Sequence, residues 1–339
     1  MSDQVFDLII IGAGPAGISA AFEAKQSGLS YVVIEKGLIG NTIYNYPVGL
    51  TVFSTIHELE FGDGQLKPAR EKPTREELLS YYVRFVLEND LNINTEETVT
   101  EVLSEPPAIA GGLTLFKIVT SKSEYVAKNI LFAIGAMDYA RKLNVPGEDL
   151  PKVHDHFRET YPWVKKKALI IGGGNSAGEA ALFLAQEGAD TTLAIFRDQW
   201  ENDDPKQGCI KYWVKQPLEK TLNEHCLNLF FLGKIIEIRE HEVELEDESG
   251  ERVVLENDVV FVLIGSDADL TLMKDLGVET TVNKNGEVPV YDEETFETNV
   301  AGIYVAGHFT NQRHIKGAID APKILIPKLK KKLEESKKS

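Results

Sequence analysis

A glycine-rich loop occurs twice in this chain, each time between an apolar run and a stretch with helical spacing. In the first copy, an apolar run at 7–11 precedes the loop GAGPAG, and the run YVVIE ends at residue 35. The second copy repeats this order at 168–197 around GGGNSA. Gly28 and Gly188 each follow the first glycine of their loop by 16 residues. The repeat predicts two βαβ units of the kind that bind dinucleotides.

The first copy has the residue types that a dinucleotide requires. We expect Gly12 to permit a tight turn, Gly14 to let the backbone approach a pyrophosphate, and Gly17 to let the helix lie close to the strand. The start of the helix supplies N–H groups and partial positive charge to phosphates. Glu35 follows Gly12 by 23 residues, where a carboxylate accepts from ribose hydroxyls. An ordinary βαβ turn is the alternative. We therefore predict an FAD site whose loop also includes Pro15 and Ala16.

The second copy differs from the first where the acid should stand. The position equivalent to Glu35 is Ile195, and Arg197 follows two residues later. An arginine at this strand end suits a 2′-phosphate, so we predict NADPH rather than NADH, the alternative being a solvated charge. Glu179, one turn into the helix, is expected to help to place the nicotinamide. The predicted loop residues are Gly172, Gly174, Asn175, Ser176 and Ala177.

Two dinucleotide sites in one chain predict electron transfer between dinucleotides, and thus an α/β oxidoreductase with two Rossmann-like domains. A flavin-binding sensor or scaffold is a weaker alternative, because it would need no second nucleotide site.

Composition narrows the partners. The net charge of −17 disfavours nucleic acid, whose backbone needs a basic surface. The sequence has no run of eighteen apolar residues, so we expect no membrane helix. Residues 1–11 do not resemble a signal peptide, and we therefore expect a cytoplasmic protein. Cys209 and Cys226 have neither disulfide-framework nor metal spacing, and we expect no metal.

Other segments fit beside these two units. Apolar runs at 129–135, 259–265 and 297–307 predict strands, and alternation over 91–127 predicts a β meander with a turn at 106–112. Residues 318–335 predict a terminal helix broken by Pro322 and Pro327. Small residues allow close approach to a cofactor where the three runs end, at Gly135, Gly265 and Gly307.

The motifs GAGPAG, IEK, AIG, VPGED, GGGNSAGEAA, LIG and AG…KGAI occur here in an order that resembles the low-molecular-weight thioredoxin reductase-like flavoproteins. Residues 39–54 look closest to the bacillithiol disulfide reductase branch. The resemblance implies three-layer ββα domains and a homodimer. It further implies an FAD-binding domain formed by 1–140 with 270–339, and an NADPH-binding domain at 141–269.

The resemblance also implies roles for further residues at the flavin. We expect Asn45 and Tyr46 to fix the ring, unless Tyr46 is only a packed loop aromatic. His308 stands where the family has an acid that bonds the ribityl chain of the flavin. We expect His308 to bond the same hydroxyl group, the alternative being a purely structural hydrogen bond. Lys316 corresponds to a basic residue near the pyrimidine end, unless it is a surface lysine. The remaining FAD contacts implied are Lys36, Val99 and Ala318.

Two departures from the family bear on the electron acceptor. Where thioredoxin reductases have CxxC, residues 155–158 read DHFR, and the branch often has Cys where this chain has Ala16. We therefore expect FAD to act without a protein thiol, most simply on a low-molecular-weight disulfide or a small redox protein. The alternative is a ferredoxin- or flavodoxin-NADP reductase. The lack of an aromatic residue after Phe309 disfavours this alternative.

Overall fold

The computed structural model describes residues 4–105, 114–204, 209–224, 227–283 and 286–336. The turn expected at 106–112 and Cys226 lie outside these residues. The chain divides into two compact units. Unit 1 comprises residues 1–139 and 267–339, and unit 2 comprises residues 140–266.

The described residues form twenty strands and nine α-helices. The strands are β1 Val5–Phe6, β2 Leu8–Ile11, β3 Tyr31–Ile34, β4 Ile93–Asn94, β5 Val99–Glu105, β6 Leu115–Thr120, β7 Glu124–Ala127, β8 Ile130–Phe132, β9 Tyr139–Ala140, β10 Val153–His154, β11 Lys167–Ile171, β12 Asp190–Ile195, β13 Asn228–Ile238, β14 Glu242–Asp247, β15 Arg252–Glu256, β16 Val259–Val262, β17 Ser266–Asp267, β18 Thr280–Asn283, β19 Gly286–Pro289 and β20 Ile303–Val305. The helices are α1 Pro15–Gln26, α2 Asn41–Tyr44, α3 Ile56–Leu59, α4 Arg75–Glu88, α5 Asn175–Gln186, α6 Arg197–Glu201, α7 Tyr212–Asn223, α8 Thr271–Asp275 and α9 Ile315–Ser336, with a 3-10 turn at Tyr161–Trp163.

Unit 1 is built on a five-stranded parallel sheet in the order β20–β8–β2–β3–β4. Alternate residues of β2 enter different cores, because successive side chains of a strand point to opposite faces. Leu8 and Ile10 pack in the core formed with α1, α4 and α9. Ile9 and Ile11 pack in a second core with β5 and β6. The meander predicted from 91–127 is present as the antiparallel run β5–β6–β7.

Unit 2 repeats this arrangement on a seven-stranded sheet, in the order β10–β16–β11–β12–β13–β14–β15. Ala168 and Ile170 of β11 pack with α5 and α7, whereas Leu169 and Ile171 pack with β13 and β14. Both units therefore pack helices on one face of their parallel strands and further strands on the other face. In unit 2, β14 and β15 continue the parallel strands in antiparallel order. The sequence predicted this α/β, Rossmann-like class correctly.

Two predictions about single elements were wrong. The terminal helix α9 continues through Pro322 and Pro327 instead of breaking at them. Tertiary packing accounts for this, since Pro322 itself is buried and the hydroxyl of Ser19 on α1 donates to the carbonyl of Ile319 at 2.7 Å. The strand predicted over 297–307 is limited to β20, because turns precede it. Among the described residues, no helix is long and apolar enough to cross a membrane.

Candidate dinucleotide-binding sites

The first glycine loop lies at the carboxyl end of β2, where close backbone contacts require glycine. Gly12 has φ of +108° and donates its N–H to the carbonyl of Ile34 at 2.8 Å. A Cβ at Gly12 would lie 2.5 Å from the Ala133 carbonyl oxygen, and one at Gly17 would lie 1.8 Å from the Gly12 carbonyl oxygen. Helix α1 therefore starts directly against the turn, as in a loop that presents backbone amides to a phosphate.

The start of α1 is open to a ligand. Gly14 is the N-cap residue, and an added Cβ there would meet no described atom within 4 Å. Among the described residues, no side chain caps this end, and the first turn, which contains Pro15 and Ala16, carries no acid. Unpartnered helix-terminal N–H groups and partial positive charge favour a phosphate at this position. The glycine loop at 12–17 and the start of α1, together called the first cradle, therefore fit the pyrophosphate of a dinucleotide.

Glu35 lies against this loop, as the sequence predicts for a ribose-binding acid. Its side chain is buried, and its two oxygens accept from the N–H groups of Ala13 and Gly37, each at 2.7 Å. Each oxygen retains a lone pair for a hydroxyl group. The neighbouring Lys36 forms an ion pair with Asp138.

Two further segments reach the loop. Gly40, in the left-handed region with φ of +66°, donates its N–H to the Ala13 carbonyl at 2.9 Å and starts the short helix α2. Gly135 follows β8, and an added Cβ there would lie 4.0 Å from Thr42 Oγ1. The chain that carries Asn45 is therefore tied to the glycine loop.

Gly307, which follows β20, is the third segment that borders the first glycine loop. An added Cβ at Gly307 would lie 3.3 Å from the Ala16 Cβ, so larger residues would crowd the loop. Thr310 closes the turn by donating its hydroxyl to the Gly307 carbonyl at 2.7 Å. His308 follows Gly307 on this turn, and desolvation, together with Arg313 and His314, lowers the pKa of its ring. A neutral imidazole beside the loop is suited to hydrogen bonding with a hydroxyl group.

The remaining residues predicted for FAD are spread around this centre. Asn45 caps α2, and Tyr46 is half-buried against the core. Lys316 is exposed and pairs with Asp320, one turn along α9. Ala318 is buried in α9, and Val99 packs against the second core at the start of β5.

The second glycine loop reproduces the backbone of the first. Gly172 has φ of +151° and donates to the Ala194 carbonyl at 3.1 Å. An added Cβ would lie 2.3 Å from the Leu263 carbonyl oxygen. Gly174 caps α5 and, like Gly14, would have no described atom within 4 Å of an added Cβ. Helix α5 therefore also begins with an open cradle.

Several side chains line this second cradle. The side-chain Oδ1 of Asn175 accepts from the backbone N–H of Lys211 at 2.8 Å, and Ser176 is exposed. The Gln199 side chain crosses the loop, since its Oε1 lies 2.0 Å from an added Cβ on Gly173. Ala177, in place of a third glycine, is fully buried.

Three more predicted residues belong to unit 2. Burial raises the pKa of Glu179 on α5 to about 7. Arg197 begins α6, and its guanidinium group contacts Glu248 and Glu201. Gly265 has φ of +101° and accepts from the N–H of Arg141 at 3.0 Å.

Sequence reasoning missed residues that have no local pattern. Arg75, buried at the start of α4, donates to the Tyr44 carbonyl from Nε at 3.1 Å and thereby fixes the end of α2. Glu248 reaches Arg197 across 51 residues of chain. Gly40 was also missed, although it has a local signal, because it is a glycine directly before the segment NTIYNY.

Among the described residues, one cluster of atoms of the metal-ligand type occurs in unit 1. Atoms of His57, Glu60 and Asp63 lie within 4.8 Å of one another. Burial acts to raise the pKa of Glu60, but hydrogen bonds from backbone N–H groups, including those of Gln65 and Leu66, outweigh it and lower the pKa. These backbone hydrogen bonds therefore stabilise the charged form of the Glu60 carboxylate.

Two cradles on two Rossmann-like units define a two-dinucleotide oxidoreductase, and comparison with known proteins agrees. The family model for pyridine nucleotide-disulphide oxidoreductase matches residues 9–307. The chain is 36% identical to bacilliredoxin reductase Bdr of Bacillus subtilis over 299 residues, 88% of each protein. It is 29% identical to a ferredoxin–NADP reductase of Ignicoccus hospitalis over 307 residues, 90% of each.

Solved structures give the same result. Bacillithiol disulfide reductase Bdr from Staphylococcus aureus matches with a TM-score of 0.88 and 33% identity, covering 97% of this chain and 99% of that one. Thioredoxin reductase from T. acidophilum matches with a TM-score of 0.75 at 23% identity, covering 98% and 100%, which supports the fold alone.

This chain belongs to the pyridine nucleotide-disulphide oxidoreductase family. It is an enzyme of the class that uses FAD and NAD(P)H, as the paired glycine loops predicted. The resemblance to thioredoxin reductase-like flavoproteins and to the bacillithiol disulfide reductase branch is confirmed.

Proposed function

We propose that this chain is an NADPH-dependent FAD oxidoreductase that reduces a low-molecular-weight disulfide of the bacillithiol type. One NADPH and one proton would convert one disulfide into two thiols and NADP⁺. When bound, FAD supplies the hydride acceptor and the electron donor for this reaction. The similarity to the two Bdr proteins supports the substrate class.

The observation that carries the proposal is the meeting of three segments at the first glycine loop. Backbone groups at Gly12 and Gly14 would hold the pyrophosphate, and Glu35 would bind ribose hydroxyls. The segment Gly40–Tyr46 and the Gly307 turn would border the flavin, with His308 donating or accepting a hydrogen bond. We infer that unit 1 is the FAD-binding domain.

Unit 2 would hold NADPH. The start of α5 would bind its pyrophosphate, Arg197 its 2′-phosphate, and Glu179 would help to position the nicotinamide. We also propose a homodimer, by analogy with the family.

We propose further that no protein thiol takes part. Ala16 lies beside Gly307, so the position nearest the loop where the branch often has cysteine holds a methyl group. Cys209 is exposed in unit 2, outside any redox motif. The disulfide would then be reduced at the flavin directly.

A ferredoxin–NADP reductase is the second candidate, and similarity to the Ignicoccus hospitalis protein favours it. An anaerobic stopped-flow experiment separates the two. The flavoprotein is reduced with one equivalent of NADPH, then mixed with oxidised bacillithiol, ferredoxin or flavodoxin. We expect fast reoxidation by bacillithiol disulfide. Fast reoxidation by ferredoxin or flavodoxin alone would overturn the disulfide proposal.

A further inference from the structure

Arg197 is held by two carboxylates at the end of β12. Its Nε and Nη2 donate to Glu248 at 2.6 and 2.5 Å, which is a bidentate pair. Its Nη1 donates to Glu201 at 2.9 Å. The guanidinium carbon lies 3.8 Å from the centroid of the Phe231 ring. Stacking and three hydrogen bonds therefore fix the group in one orientation.

A nucleotide 2′-phosphate would need the same donor edge of Arg197. Carboxylate and phosphate oxygens both match the guanidinium fork. Glu248 occupies that fork, and Glu248 with Glu201 places two negative charges against one positive charge. A 2′-phosphate must therefore displace or repel Glu248, whereas a 2′-hydroxyl group has neither cost.

Glu248 is built into a rigid turn. It lies between β14 and β15, directly after Asp247. The Asp247 carboxylate accepts from the Ser249 N–H at 2.8 Å, the Ser249 hydroxyl at 2.7 Å and the Glu251 N–H at 3.0 Å. The hydrogen bond from Arg197 lowers the pKa of Glu248, so the carboxylate is charged at neutral pH. The turn thus presents a fixed anion to the arginine.

We propose that Glu248 is a specificity-determining residue for the nicotinamide cofactor. Its carboxylate competes with the 2′-phosphate for Arg197 and thereby weakens the preference for NADPH over NADH. This rests on the proposed function, in which Arg197 lies at the adenosine 2′ position. Removal of the Glu248 charge should therefore increase discrimination in favour of the phosphorylated nucleotide.

The test compares Glu248→Gln with Glu251→Gln in the flavin-loaded protein. Glu251 is an exposed carboxylate on the same turn, so the control removes the same charge without touching Arg197. Calorimetry measures the affinity of each variant for 2′,5′-ADP and for 5′-AMP. We expect E248Q to bind 2′,5′-ADP roughly three- to tenfold more tightly than wild type, a range appropriate to an exposed ion pair. Affinity for 5′-AMP should change in neither variant.

Equal gains in E248Q and E251Q would overturn the proposal, because the effect would then be one of net charge. A loss of 2′,5′-ADP affinity in E248Q would overturn it too, since Glu248 would then be positioning Arg197 for the phosphate. The proposed function fails separately, if NADPH does not reduce the flavin of the wild-type protein. The calorimetric result does not depend on that reaction.

Discussion

The two glycine loops share a backbone but differ in how tightly the helix approaches it. In unit 1, an added Cβ at Gly17 would lie 1.8 Å from the Gly12 carbonyl oxygen. In unit 2, the equivalent residue is Ala177, whose methyl group is accommodated at this position and is fully buried. The same βαβ pattern thus tolerates a methyl group in one copy and excludes it in the other.

The loops also differ in charge at the end of the neighbouring strand. Unit 1 places the Glu35 carboxylate on the loop amides. Unit 2 has the buried Ile195 at that register, and its charges gather around Arg197. One backbone geometry is therefore combined with different charges in the two units, because the residues that differ lie outside the loop itself.

The steric difference gives the largest expected effect. Gly17→Ala should force α1 away from the Gly12 carbonyl, at a cost of about 3 kcal/mol or more, and unit 1 should lose its flavin. The matched change Ala177→Gly should cost only about 1 kcal/mol, since it removes a methyl group and adds backbone freedom. The flavin-to-protein absorbance ratio and thermal unfolding measure both. Full flavin retention in G17A would contradict this comparison.

Next in size is the effect of Glu179, a raised-pKa acid in unit 2. The folded state holds its proton up to about pH 7, whereas an unfolded chain loses it near the ordinary value of a glutamate. Its contribution therefore lowers stability as pH rises from about 4.5 to 7. Glu179→Gln should gain about 1 to 3 kcal/mol on wild type between pH 5 and pH 7.5.

Denaturant unfolding at both pH values measures this gain, with Glu187→Gln at the exposed end of α5 as the control. An equal difference between E179Q and wild type at pH 5 and 7.5 would show that Glu179 titrates normally.

A smaller effect is expected from Arg197→Ala. The KM for NADPH should rise about tenfold, and that for NADH less than about threefold, because only the 2′-phosphate uses the guanidinium fork. Initial rates of flavin reduction with each nucleotide measure this. Equal changes for both nucleotides would remove the 2′-phosphate role.

No effect is expected from the cysteines. The double variant Cys209→Ser, Cys226→Ser should reduce bacillithiol disulfide at a rate near wild type, since neither residue lies in a redox motif. Steady-state rates test this. A large loss of rate would mean that a protein thiol relays the electrons after all.

The glycine loops and parallel strands were predictable because their signal is local. Gly12 and Gly172 end apolar runs, and each has a positive φ that the motif requires. The path of α9 was not predictable, since burial of Pro322 and the bond from Ser19 depend on a helix some 300 residues earlier. Similarly, Glu248 has no pattern that relates it to Arg197. Side-chain pairs between distant strands appear only once the sheet is folded.

Anaerobic titration of the flavin with NADPH tests the central claim, that the two cradles hold two dinucleotides that exchange hydride. We expect one equivalent of NADPH to bleach the oxidised flavin absorbance at once, and NADH to do so at a smaller rate. A flavin that stays oxidised with excess of either nucleotide would contradict it, and the second loop would then serve some purpose other than hydride transfer.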